Sequence, residues 1–108
     1  MRVQMNSLLT VEYEVQIKRL ACLHQSGEEY QIIKSDINAA LMHLSGEIGL
    51  DPGDRVATWS ELHTSLKRSL LISADPHWIN VIRFALSRIK SYKQNALVSR
   101  SGKRTSHT

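Results

Sequence analysis

Acidic residues stop at Asp75. Beyond it, residues 76–108 hold seven Lys and Arg and no Asp or Glu, a net of +7. Residues 1–75 hold seven Lys and Arg against ten Asp and Glu, a net of −3. A basic end on a mildly acidic body points to polyanion contact or to charge pairing within or between copies. Cysteine is nearly missing too. A lone Cys22 excludes an internal disulfide framework and suits a reducing cytosol, so a cytoplasmic location is expected. Apolar runs extend only a few residues, far from the roughly 18 a membrane span needs. The stretch MRVQMNSLLTVEYEVQ lacks the apolar centre of a signal peptide. No membrane association is expected.

Two prolines and five glycines leave little punctuation in 108 residues, so long elements joined by few turns are expected. Hydrophobic residues at 42% and charged residues at 22% fit one globular domain. Four helical segments follow. The first runs from about Val11 to His24, with Glu12 and Glu14 early and Lys18 and Arg19 late, an order that suits the helix dipole. Its opening, TVEYEVQI, also alternates like a half-buried strand. The uninterrupted continuation KRLACLH and the want of a partner strand favour helix.

Wound as a helix, this segment carries two apolar stripes. Val11, Val15 and Cys22 lie on one side; Tyr13, Ile17, Leu20 and His24 lie nearly opposite. Such a helix asks for two neighbours. Cys22, placed on an apolar stripe, is expected as a buried, inert thiol. The second segment, EEYQIIKSDINAALMHLSGEIG, repeats Tyr30, Ile33, Ile37, Leu41, Leu44 and Ile48 at helical spacing. A weaker row, Ile32, Ser35, Ala39, Met42 and Gly46, runs along another side. GLDPGD reads as a turn, and TWSE as a capping box that starts the third helix at Thr58. Asp75 and Pro76 supply an N-cap and first-turn proline for the fourth helix, which is expected to end near Leu97.

In the fourth helix Trp78, Val81, Ile82, Ala85, Ile89 and Tyr92 gather on one arc, with Arg83 and Lys90 on one flank and Arg88 on the other. A groove-reading helix instead aims its basic and amide side chains from one exposed face, and begins with polar residues. This one begins Pro76, His77, Trp78 and Ile79. It reads as a core helix with a basic rim. Phe84, the one phenylalanine, points away from the apolar arc and is a candidate partner contact.

Chemical equipment is scarce. The five histidines form no i, i+4 pair, no G-x-S-x-G elbow occurs, and GLDPGD sets acids where a phosphate cradle needs none. The expectation is a protein that is not an enzyme, with no catalytic residue, metal or cofactor.

The sequence therefore predicts an all-α fold, a four-helix bundle or two packed helical hairpins over residues 1–97, dimeric, with a flexible basic tail over 98–108. Apolar surface beyond what one small bundle hides predicts a homodimer and a regulator that binds a protein partner, as inhibitor, anti-activator or adaptor. Its interface candidates are Tyr13, Ile17, Leu20, Ile32, Ala39, Met42 and Phe84. The alternative is a nucleic-acid-binding protein using Arg83, Arg88, Lys90, Lys93, Arg100, Lys103 and Arg104 on phosphates.

Overall fold

The computed structural model describes residues 2–23 and 30–101, with side chains over 8–22 and 30–98. It holds four helices: α1 (Arg2–Leu23), α2 (Tyr30–Ile48), α3 (Pro52–Ser69) and α4 (Pro76–Ser101). No strand occurs among the described residues. The alternating TVEYEVQI is helical. Residues two apart on a helix are separated by about 200°, so alternation along the chain becomes two opposed apolar stripes around it. α1 begins at Arg2, well before Val11, and α4 continues through Ser101, past the expected end at Leu97. His24, Glu28, Glu29 and residues 102–108, including Lys103 and Arg104, lie outside the described residues.

The link between α2 and α3 corrects the sequence reading. α2 ends at Ile48, and Gly49 takes φ +94°, the left-handed conformation that closes a helix and that a Cβ disfavours. Asp51 caps α3, accepting from the Asp54 backbone N–H at 2.9 Å, and Pro52 occupies the first turn. DPGD is thus a helix start, built like Asp75–Pro76, where Asp75 accepts from the Trp78 N–H at 3.3 Å. Thr58 is no cap. It lies inside α3 with its side chain buried. Arg55, in the first turns of α3, reaches back and donates to the Ser45 carbonyl at 2.9 Å, to the Gly49 carbonyl and to the Ser45 hydroxyl. A cation on the last carbonyls of α2 satisfies acceptors the helix leaves open and complements its dipole.

Two hairpins make up the core. In one, α3 and α4 run antiparallel: the rings of Trp59 and Tyr92 stack at 4.6 Å, and Trp78 Nε1 donates to the Ser69 carbonyl at 3.2 Å. In the other, α1 lies antiparallel to α2. The hairpins meet with α2 alongside α4 in the same direction. Tyr30 reaches the Asn80 carbonyl, Lys34 lies over Phe84, and Asn38 accepts from Arg88 Nε, a constant offset of fifty residues. The result is a four-helix bundle built from two packed hairpins, in which α2 neighbours α4. Tyr13 and Ile17 of α1, Ile33, Ile37, Leu41 and Leu44 of α2, Trp59, Leu62 and Leu66 of α3, and Val81, Ile82, Ala85 and Ile89 of α4 form one buried cluster.

Candidate functional site

Of the two stripes on α1, the structure turns Tyr13 and Ile17 inward, 3% and 0% exposed, with Leu20 half-buried beside them. Tyr13 and Ile17 are core residues, and Leu20 packs against the core. α2 and α3 pack against that side because it carries the larger side chains and a phenol that finds polar partners on α2. The opposite side stays uncovered: Leu8, Val11 and Val15 are 70%, 56% and 46% exposed, and Cys22 is exposed as well, not buried as its stripe suggested. On α2, Ile32 and Met42 are 55% and 66% exposed, and Ala39 is exposed.

A cleft of about 550 Å³ opens between α1 and α2. Leu20, Ala39 and Ala40 give it an apolar floor, while Glu12, Arg19, Asp36 and Glu47 bring charge to its walls, more negative than positive. At its base the Tyr13 hydroxyl donates to Glu47 Oε1 at 2.8 Å and lies 2.7 Å from His43 Nδ1. The single phenolic proton goes to Glu47, so the His43 Nδ1–H donates to the phenol. Burial, the hydrogen bond to Glu47 and the nearby charges of Glu47 and Glu12 push the Tyr13 phenol up to about 12. It is a locked donor, not a base for neutral pH. The sequence offered one trace of this cluster, His43 and Glu47 four apart on α2. Their partner thirty residues away was invisible until α1 and α2 packed.

Phe84 is covered from within the chain. It is half-buried against the core, and Lys34 Nζ lies 5.6 Å from its ring centroid and 5.0 Å from that of Tyr30. α4 has a helix on each flank, so a side chain off its main apolar arc still meets α2. The same geometry separates the basic candidates. Arg88 faces α2, donating to Asn38 at 3.0 Å, whereas Lys90 and Lys93 face α3. There they join His63 and Lys67, and burial, then Lys93, Lys67 and Lys90, hold the His63 imidazole below its ordinary value of 6.5. Arg83 is exposed on the same side of α4 as Lys90. Arg100 lies in the last turn of α4 with its side chain outside the described residues.

The loops leave apolar residues exposed that helical periodicity had no means of flagging: Leu50 between α2 and α3, and Leu71 and Ile72 between α3 and α4. Among the described residues no group of three or more His, Cys, Asp or Glu is placed to hold a metal ion. No described helix is long and apolar enough to cross a membrane. In comparisons with known proteins, no family model, no curated protein and no solved structure matches this chain.

Proposed function

We propose that this chain is a non-enzymatic, cytoplasmic regulator that binds a protein partner through the α1–α2 side of the fold, and does so as a homodimer. The supporting observation is surplus. After one core has closed, Leu8, Val11 and Val15 on α1 and Ile32 and Met42 on α2 remain largely in water. Scattered exposed leucines are ordinary in any protein. An apolar row along the side of a helix opposite its core is less so, and such surface normally serves association. The cleft between the two helices, apolar below and mostly acidic at its walls, suits a partner segment with aliphatic side chains next to a cation. By covering a site on that partner, the domain acts as an inhibitor, anti-activator or adaptor.

Affinity capture at low and high salt tests this, with wild type compared against Ile32→Asp and Met42→Asp. A protein retained at high salt by wild type and released by either variant supports the reading. Capture that is indifferent to both substitutions removes it.

A second reading has its own observation. Lys67 of α3 with Lys90 and Lys93 of α4, gathered around His63, make a cationic seam on the other side of the molecule, suited to phosphates without base readout. It predicts binding to a DNA or RNA duplex that falls steeply with salt and weakens with Lys90→Glu or Lys93→Glu. An anion seated there would offset the lysine field and raise the His63 pKa on binding.

A further inference from the structure

The outer side of α1 has a charge order that selects its occupant. Leu8, Val11, Val15 and Cys22 are spaced by three, four and seven residues, which brings them onto one line about half a turn from the core residue Tyr13. Along both edges of that line the acids come first and the bases later. Glu12 precedes Arg19 on the edge toward the cleft, and Glu14 precedes Lys18 on the other, where the two are paired at 2.8 Å. Glu12 and Arg19 are both exposed, and among the described residues neither has an ion-pair partner.

We infer that α1 pairs with α1 of a second copy, antiparallel, about a two-fold axis near Val15. This rests on the homodimer reading above and names the surface and orientation it uses. A two-fold axis makes an interface self-complementary, so each residue must find its partner on the same patch of the other copy. In an antiparallel pair, equivalent helix edges face each other. The cleft-side edge of one copy then sets Glu12 against Arg19 of the second and Arg19 against Glu12, two ion pairs from one pair of residues. A parallel pair aligns acid with acid and base with base, which disfavours that orientation. Val15 meets Val15 at the axis, and Leu8 and Val11 of each copy lie against Cys22 and the Lys18 methylenes of the second. Three aliphatic side chains cover less than the roughly 800 Å² per partner of a standard interface, so the association is concentration-dependent rather than permanent.

The test is solution mass across a concentration series by light scattering, with circular dichroism confirming that each variant is folded. Wild type is expected to move from 12.3 kDa toward twice that mass. Val15→Glu, which sets like charges against each other across the axis, is expected to shift the midpoint by about tenfold or more. Glu12→Arg and Arg19→Glu are each expected to weaken the dimer, and the double variant to restore it, because antiparallel pairing re-creates the two ion pairs with their signs exchanged. Cysteine oxidation reads orientation independently. Val15→Cys in a Cys22→Ser background is expected to cross-link across the axis. In the wild type the two Cys22 residues lie about 20 Å apart along the paired helices, and a disulfide needs Cα atoms within about 7 Å. A dimer untouched by Val15→Glu, a double charge reversal no better than the single ones, or ready cross-linking through Cys22 overturns this pairing while leaving a homodimer through another surface. A wild type monomeric at every concentration overturns both.

Discussion

Tyr13 and Glu47 are joined by a 2.8 Å hydrogen bond at the base of the α1–α2 cleft, with the phenol as donor. α1 thereby carries both a core residue and a polar tie to α2 in one side chain. The bond has a consequence for alkaline pH. The folded phenol ionises near 12 and the unfolded one near 10, so folding holds the proton more tightly. Its stabilising contribution is complete below pH 10 and is lost as pH rises toward 12. Absorbance titration should show one of the three tyrosines ionising late, and Tyr13→Phe should abolish that step. The same substitution should cost about 1 kcal/mol at neutral pH, the net worth of a typical hydrogen bond.

Arg55 ties the start of α3 to the end of α2 through the Ser45 and Gly49 carbonyls. Arg55→Met keeps much of the aliphatic packing and removes these charge-assisted bonds. Urea unfolding is expected to show a loss of about 1.5–3 kcal/mol, the range for hydrogen bonds to charged groups. Gly49→Ala should cost about 1 kcal/mol, since Gly49 has φ +94° and open space around it: the penalty is backbone conformation, not collision.

Thr58 offers the opposite sign. Its hydroxyl is fully buried and finds no hydrogen-bond partner among the described residues. Thr58→Val keeps the shape and substitutes a methyl group for that oxygen. The variant is expected to be more stable by about 1–2 kcal/mol, read as a higher urea midpoint with an unchanged slope.

His63 connects pH to the α3–α4 seam. Burial and three lysines make its folded imidazole harder to protonate than an unfolded one, whose value is 6.5. The unfolded state therefore takes up more protons as pH falls. The contribution of neutral His63 is present above about pH 6.5 and is lost below it. His63→Gln should flatten the acid side of the stability profile. The histidine's own titration, followed by NMR, should fall below 6.5 in the free protein.

The sequence made the helices legible because each signal for them is local. The three- and four-residue repeat of Ile33, Ile37, Leu41 and Leu44 marks the inner side of α2 wherever the chain places it. Asp75–Pro76 announces α4. Asp51–Pro52 carries the same chemistry and was obscured by Gly53, which reads as a turn beside proline, and by the competing TWSE pattern six residues on. An N-cap is a contest between neighbouring candidates. Here the earlier one won because Pro52 and Asp54 fit the first turn of a helix and Thr58 fits its buried interior.

Sidedness is another kind of information. Periodicity shows that α1 has two apolar stripes; it contains nothing about which of them a neighbour will cover. Burying Tyr13 required His43 and Glu47 at the far end of another helix, and that choice left Val11 and Val15 in water. Phe84 was conspicuous on an isolated helical wheel and ordinary once α2 lay alongside α4, with Lys34 over its ring. The basic residues of α4 form one list in the sequence, and packing sent Arg88 to α2 and Lys90 and Lys93 to α3. By itself, then, the sequence determined that this chain forms helices and which residues of α2 and α4 face inward, because backbone geometry repeats every 3.6 residues whatever surrounds it. Only the tertiary structure decided which stripe of α1 remains for a partner and which charges share a surface, because those depend on contacts between residues thirty to fifty positions apart.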